Sequence, residues 1–444
     1  MFEHQKILIL GFARSGYEAA KFLANRNNEI IINDMKAEHD KDKVDELKKL
    51  GVKVILGEHP DDLLDDSFDY LIKNPGVPID HKYVLKAREL GIEVINEVEM
   101  AYRLLPKDVK LVAITGTNGK TTTTTLIYEM LKKANMPCHL TGNIGFPLCG
   151  FLDKLKSGDI IVMETSCQQL ENLTEFNPDI AVMTNLSEAH IDFLKSYDNY
   201  KRVKSKIFQN HTEKNIAILN IENNDVLEVT KNIKSTVKYF SSKKEINGCY
   251  LKNNAIYYYD EKVVNLSDIQ LVGTHNYENI MASIMVVKEL GVDNEVIVSL
   301  LKEFTGVEHR IEFVKNLNGR SFYNDSKATN IKATQIALSS FNKPTILLLG
   351  GMERGQNFND LKEYFNNVKA IVAYGECKNR IKDFADSVDV KCYVVDTLEV
   401  AVKEAYSLSS EGDVILLSPA SASWDQYKCF EDRGVEFKKL VNSL

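Results

Sequence analysis

Short apolar runs recur along this chain, each closed by a glycine or a polar cluster and followed by a stretch whose apolar residues return every three or four positions. Residues 6–10, 29–33, 52–56, 70–73 and 92–95 are mostly apolar, and a helical pattern follows the first as far as about Asn25. Such runs predict parallel strands buried on both faces with amphipathic helices between them. The same alternation returns at 111–114, 159–163, 180–184 and 216–219, and again at 321–324, 345–349, 370–374, 391–395 and 414–417. Residues 237–271 break the rhythm: they are tyrosine-rich, including Tyr257, Tyr258 and Tyr259, and predict short strands forming a small excursion.

A chain of 444 residues is too long for one core, and the pattern divides it into domains at 1–97, 98–305 and 306–444. The fold class is α/β with three domains. The first is Rossmann-like, the second a P-loop ATPase-like domain on a parallel sheet, and the third again a Rossmann-like α/β domain. With 44% hydrophobic and 27% charged residues the composition is globular, not disordered. The formal net charge of −8 excludes nucleic acid and anionic membrane as partners of the whole surface, so an anionic ligand must meet local cations. Seven scattered cysteines without a C-x-x-C pair indicate reduced usage and no zinc framework. No apolar run is long enough for a signal peptide or a membrane span, so a cytoplasmic enzyme that does not insert into the membrane is expected.

The strand at 111–114 runs into Gly116, Thr117, Asn118, Gly119, Lys120 and Thr121, after which helical patterning begins; Thr121 to Thr125 is read as part of that helix. Backbone N–H groups of such a loop point at an anion, and a lysine in a first helical turn opposes the helix dipole unless an anion is present. Lys120 can reach β- and γ-phosphates, and the Thr121 hydroxyl can ligate Mg²⁺. Ile114 stands where the longer P-loop pattern has its first glycine.

The other candidates lie at predicted strand ends, which converge on one edge of a parallel sheet. Glu164 can hold Mg²⁺ or its water, while His190, in the loop after 180–184, reads in isolation as a structural histidine. Lys204, in a lysine-rich helix, reads in isolation as a solvated side chain. Asn276 and Asn279 share a helical face and can pair with a base edge, with helix capping the alternative for Asn276. In the first domain Gly11 to Gly16 and Asp34 have the Rossmann layout, with Ala13 replacing the middle glycine. That unit fits either a nucleotide or a βαβ unit with no ligand. Residues 74–78 form a turn at a strand's C-terminal end. In the third domain the loops at 324–330, 350–355 and 418–423 should share one sheet edge.

These motifs together resemble the Mur ligase superfamily of ATP-dependent amide-forming enzymes, and within it the branch that adds D-glutamate to UDP-N-acetylmuramoyl-L-alanine. The resemblance rests on GFARSG at 11–16, NPGVP at 74–78, ITGTNGKTT at 114–122 and GNIG at 142–145. It continues through Glu164-Thr165-Ser166, HNYEN at 275–279, EHR at 308–310, NDSKATN at 324–330 and the run at 416–434. It implies ATP bound by Gly116, Thr117, Asn118, Gly119, Lys120, Thr121 and Thr122, with Asn276, Asn279, Arg310 and Asp325 contributing. Two Mg²⁺ ions would be held through Thr121, Glu164, His190 and Lys204, the last as a carbamate. Carbamylation would turn a cation that repels Mg²⁺ into an anionic oxygen ligand. The UDP-sugar falls to Arg14, Ser15, Asp34, Asn74 and Gly76, with its muramoyl-alanine arm along Asn143, Ser166, Gln169 and His190. D-glutamate falls to Lys327, Thr329, Arg354, Ser423 and Phe430, and Lys120, Glu164, His190, Lys204 and Lys327 form the catalytic set. A monomer is expected. Arg354 stands where some members have lysine, Asn74 where many have serine, and Gln168 where some have an aromatic. Two alternatives compete: a folylpolyglutamate synthase-like ligase, which would not need the Asp34 domain, and an inactive UDP-sugar-binding sensor, which would not need the catalytic set.

Overall fold

The computed structural model describes residues 2–188, 194–271 and 273–444. The chain forms two compact units, Met1–Phe304 and Thr305–Leu444. The first unit holds two sheets and the second holds one.

The N-terminal sheet is all parallel, in the order Lys53–Leu56, Glu29–Asp34, Lys6–Leu10, Tyr70–Lys73, Glu93–Ile95. Lys6–Leu10 at its centre has Ile7, Leu8, Ile9 and Leu10 buried, as its unbroken apolar run predicts. After Asp34 the charged segment is helical over Lys41–Lys49, where the Asp40 side chain accepts from the Asp42 and Lys43 N–H groups and sets the N-terminus.

The central sheet runs Glu261–Asn265, Ala255–Tyr258, Gly248–Lys252, Thr236–Ser241, Ile216–Asn220, Ile180–Met183, Lys110–Thr115, Ile160–Glu164, Cys138–Gly142. Thr236–Ser241 pairs parallel both to Ile216–Asn220 and to Gly248–Lys252, and Ala255–Tyr258 and Glu261–Asn265 continue the ladder antiparallel. The tyrosine-rich region therefore extends the main sheet instead of standing off it as an excursion. The edge strand Cys138–Gly142 has no apolar run to announce it; pairing with Ile160–Glu164 makes it a strand.

One core joins the two sheets of the first unit, since Ile7, Ile32 and Ile95 share a cluster with Leu111, Met163 and Phe176. The connecting helix Glu97–Arg103 adds a polar lock. Asn96 caps it and donates through Nδ2 to the Gln169 carbonyl at 2.6 Å. The buried Glu99 carboxylate accepts from Thr174, Glu175 and Phe176 N–H groups, from the Thr174 hydroxyl and from Arg103 Nε. A buried charge with that many donors is satisfied, and removing any one of them would expose its desolvation cost.

The second unit carries a sheet in the order Glu312–Leu317, Arg320–Asn324, Val414–Leu417, Thr345–Gly350, Val368–Tyr374, Lys391–Val394, parallel except for the first pair. Arg320–Asn324, Val414–Leu417 and Thr345–Gly350 are neighbours, so the three polar loops that follow them leave one edge side by side. Clusters around Leu347 and Ile346 fill its two faces. Among the described residues no helix is long and apolar enough to cross a membrane.

Candidate active site

The glycine loop follows Lys110–Thr115, whose end lies between Ile180–Met183 and Ile160–Glu164, in register Thr115 with Met183 and Ile114 with Glu164. That register delivers Thr184 and Glu164 to the two sides of the loop. Thr184 donates through Oγ1 to the Asn118 carbonyl at 2.6 Å, while Asn118 N–H donates to Asn185 Oδ1 at 2.9 Å and Thr117 N–H to the Asn185 carbonyl at 2.8 Å. Gly116 has φ +146°, and a Cβ there would come within 2.0 Å of Thr184 Oγ1, so only glycine fits beneath the clasp. Helix Lys120–Lys133 then starts with no side-chain cap on its first N–H groups. Lys120 Nζ donates back to the Thr117 carbonyl at 2.8 Å, lying across its own loop, and Thr121 is buried in the first turn. Behind the loop, Asn279 Oδ1 accepts from the Thr123 hydroxyl at 3.4 Å. Asn279 and Asn276 lie on helix Thr274–Glu289, and the buried Asn279 leans on the loop helix.

Beside the loop, the Glu164 carboxylate is 1% exposed. Its Oε1 accepts from Asn143 Nδ2 at 2.7 Å, and its Oε2, also buried, has no hydrogen-bond partner among the described residues. A buried anionic oxygen left without a donor is costly unless a cation completes it, so the donor set fits a divalent ion with oxygen ligands. Lys204, on helix Tyr197–Ser205, is equally buried and donates to Thr115 Oγ1 and to the Gly116 carbonyl, both at 2.9 Å. Burial, with the Lys120 ammonium nearby, pulls its amine down to about 7. The sequence reading of a solvated side chain fails here because Tyr200 and Lys204, one helical turn apart, both face the core. Tyr200 explains how Lys204 is held: its hydroxyl lies 3.0 Å from Thr117 Oγ1, and its ring centre is 5.6 Å from Lys204 Nζ. His190 lies outside the described residues. Ser166 and Gln169 cap one another: Gln169 Oε1 accepts from Ser166 N–H, and Ser166 Oγ from Gln169 N–H.

In the N-terminal sheet the loop from Gly11 to Ser15 is held by two neighbouring strand ends. Asp34 Oδ2 accepts from Phe12 N–H at 2.6 Å and Oδ1 from Lys36 N–H at 2.8 Å. Asn74 Oδ1 accepts from the Ser15 hydroxyl, and Asn74 Nδ2 is buried with no partner among the described residues. Arg14 Nη1 donates to the Gly145 carbonyl at 2.7 Å, tying this loop to the central domain; Gly76 sits in the exposed turn below.

In the second unit Asp325 is buried, accepts from the Ser418 hydroxyl at 2.7 Å and from Ile311 N–H at 3.2 Å, and is driven up to about 7 by burial. Lys327 Nζ lies 5.9 Å from the Phe430 ring centre, and the exposed Arg354 guanidinium lies 5.4 Å from the Trp424 ring centre. Thr329 N–H donates to the Lys327 carbonyl. Ser423 Oγ is buried without a partner among the described residues. Arg310 follows His309, whose carbonyl accepts from Lys327 N–H at 2.9 Å. The structure thus places Lys327 and Thr329 on the loop after Arg320–Asn324, Ser423 after the neighbouring strand Val414–Leu417, and Phe430 at the start of helix Phe430–Ser443, where its carbonyl accepts from the Ser326 hydroxyl. It adds Arg433, fully buried, which donates to Ser326 Oγ, the Ser326 carbonyl and the Ser421 carbonyl. Sequence reasoning missed Arg433, Thr184 and Tyr200. Polar residues at predicted strand ends signalled Thr184, whereas nothing in the local pattern marks a buried arginine.

Three family models match the chain in succession: the Mur ligase MurD-like N-terminal domain at residues 5–96, the Mur ligase middle domain at 114–287, and the Mur ligase glutamate ligase domain at 309–421. Proteins named UDP-N-acetylmuramoylalanine–D-glutamate ligase from Bacillus thuringiensis (strain Al Hakam) and Bacillus cereus (strain 03BB102) are each 44% identical over 445 aligned positions, covering 100% of this chain and 98% of theirs. Among solved structures, the UDP-N-acetylmuramate-alanine ligase MurC of Thermotoga maritima shares the fold, with a TM-score of 0.58 at 20% identity, over 99% of this chain and 100% of its own.

Proposed function

The chain belongs to the Mur ligase family, and we propose that the protein uses ATP to join D-glutamate to UDP-N-acetylmuramoyl-L-alanine in peptidoglycan precursor synthesis. It is an ATP-dependent, amide-forming ligase. A carboxylate oxygen of the L-alanine arm attacks the γ-phosphorus of ATP, the bond to the β-phosphate oxygen breaks, and ADP leaves an acyl phosphate behind. The D-glutamate amine then attacks the acyl carbon, loses a proton, and the tetrahedral adduct expels inorganic phosphate to leave the amide.

Little of this is covalent work for the protein, which must position the reactants and offset charge. The uncapped N–H groups at the start of helix Lys120–Lys133 and the Lys120 ammonium receive the triphosphate, while those of Thr117 and Asn118 hold the loop to Asn185. Thr121, Glu164 and Lys204, the last as its carbamate, would hold Mg²⁺, with His190 assigned to a second ion by family resemblance. Bound there, Mg²⁺ would neutralise charge on the transferring phosphoryl oxygens. The observation that carries the reading is the buried Glu164 oxygen without a donor beside a glycine loop built for an anion. The neutral amine that carbamylation requires is supported by the burial of Lys204. Asn143 orients Glu164 and, with Ser166 and Gln169, would border the alanine arm. Arg14, Ser15, Asp34, Asn74 and Gly76 would hold the UDP portion. Lys327, Thr329, Arg354, Ser423 and Phe430 would receive the two D-glutamate carboxylates, with Asn276, Asn279, Arg310 and Asp325 on the nucleotide side.

Phosphate release measured with each substrate omitted in turn tests the function: release is expected only with ATP, UDP-N-acetylmuramoyl-L-alanine and D-glutamate together. Release at full rate without the UDP-sugar and amino acid would overturn the ligase reading. An added carbamate mass on Lys204 in the intact protein tests that assignment separately.

A further inference from the structure

Lys73 is the last residue of strand Tyr70–Lys73, opposite Leu10 in the parallel ladder, and its side chain is 0% exposed. Lysine is almost never buried unless paired, and among the described residues this one has no ion pair. Its Nζ donates instead to the Val77 carbonyl at 2.8 Å and toward the Asn74 carbonyl at 3.5 Å. The turn it wraps is closed by Val77 N–H donating to the Asn74 carbonyl at 3.0 Å, and pinned to the sheet by Asn74 N–H donating to the Leu10 carbonyl at 2.9 Å. The ammonium is thus the centre around which residues 74–77 fold.

That turn aims one side chain at the glycine loop. Asn74 Oδ1 takes the Ser15 hydroxyl, leaving Nδ2 a buried donor with no partner among the described residues. The amide lies so close to the loop backbone that a Cβ on Gly11 would fall 2.4 Å from Nδ2, and one on Gly16 2.9 Å away. A buried donor left open beside a glycine loop at the C-terminal ends of parallel strands is where an acceptor of a bound nucleotide would complete the set.

We propose that Lys73 is a positioning residue for the UDP group, its ammonium folding the turn at 74–77 so that the Asn74 amide is presented to the nucleotide. The proposal rests on the reading of the first domain as the UDP-sugar domain. The ammonium draws carbonyl oxygens inward that would otherwise face water, and its burial without a direct ion pair is tolerated because two carbonyls share the charge and the Glu171 carboxyl favours it from farther off. Two charged groups face it: Glu171, whose half-buried carboxyl is raised by its own burial, and Arg88. Burial brings the Lys73 amine down to about 8, so its proton is held at neutral pH and lost above that value.

The test is titration of UDP into the full-length protein, with steady-state kinetics beside it. Lys73→Met keeps the unbranched apolar stem of the side chain and removes its charged end. We expect it to weaken UDP about tenfold and to raise KM for the UDP-sugar by a similar factor. kcat at saturation should stay within about twofold, and KM for ATP and D-glutamate should be unchanged. In the wild-type protein UDP affinity should fall as pH rises from about 7 to about 9, a trend the methionine variant lacks. Wild-type UDP affinity in Lys73→Met, or a loss spread evenly over all three substrates, overturns the proposal. If that variant does not fold, the wild-type titration decides: affinity that is flat across this pH range rejects it. Failure of the wild-type protein to bind UDP at all would instead reject the first-domain reading.

Discussion

The chain uses the same device twice, and the two copies differ in what they offer a ligand. In the N-terminal sheet Lys6–Leu10 leads through Gly11 into helix Arg14–Ala24; in the central sheet Lys110–Thr115 leads through Gly116 into helix Lys120–Lys133. Each glycine lies at positive φ beneath a polar side chain from the end of the adjacent parallel strand. A Cβ on Gly11 would meet Asn74 Nδ2 at 2.4 Å, and one on Gly116 would meet Thr184 Oγ1 at 2.0 Å. The clasp is therefore a property of the topology, because a neighbouring strand in register must deliver its next residue there. The chemistry lies in what surrounds it. The second loop has a lysine in its first helical turn, a buried carboxylate with an open oxygen and a buried lysine; the first has an arginine, a serine and an aspartate already bonded to backbone. One suits a reacting triphosphate, the other a nucleotide that is only held.

The largest expected difference between them is catalytic. Lys120→Met should cut substrate-dependent phosphate release roughly 10²–10³-fold in kcat, as for loss of a preorganised charge at a transition state. Arg14→Met should instead raise KM for the UDP-sugar and leave kcat nearly intact. Equal kcat losses would mean the two loops do not divide the work this way.

Next is Glu164→Gln, which keeps the shape but removes the charge that a divalent ion would meet. A loss of about 10²-fold, with activity shifted to higher Mg²⁺ concentration, is expected in a Mg²⁺ titration. Unchanged Mg²⁺ dependence would remove Glu164 from the metal site.

Smaller, and the sharpest test of the shared device, are Gly116→Ala and Gly11→Ala. Each should cost about 1–3 kcal/mol in urea unfolding, since a methyl group must push the clasp aside at a backbone conformation that L-residues avoid. Of their kinetic effects, the first should fall on ATP and the second on the UDP-sugar. Neutral stability at either position would show the clasp to be loose.

The smallest effect is expected for Thr184→Ala, about 1 kcal/mol for the lost hydrogen bond to the loop carbonyl, read as a lower urea midpoint. A loss well beyond that size would mean Thr184 does more than close the loop.

Much of this was legible in the sequence. Apolar runs ending in glycine or polar clusters marked the parallel strands, since burial on both faces leaves no polar alternation to confuse them. The same rule put Glu164 at a strand end and gathered the three polar loops of the second unit on one edge, and the structure has both. The strand Cys138–Gly142 was not legible, because its residues become a strand only by pairing with Ile160–Glu164. Nor was the role of residues 236–265 as an extension of the main sheet, for strand type can be read locally but strand partner cannot.

The same boundary separates the site residues. Sequence by itself determined the strand–loop–helix units, the lysine and threonine of the second loop and the acidic and amide residues at strand ends, because local spacing and backbone stereochemistry suffice for these. Only the tertiary structure decided that Lys204 is buried against Thr115 and Gly116 and not solvated, that Lys73 turns inward, and that Arg433 joins two loops of the second unit. The reason is physical. A cation's environment depends on which distant backbone carbonyls and packed side chains replace its water, and those neighbours lie up to 107 positions away in the chain.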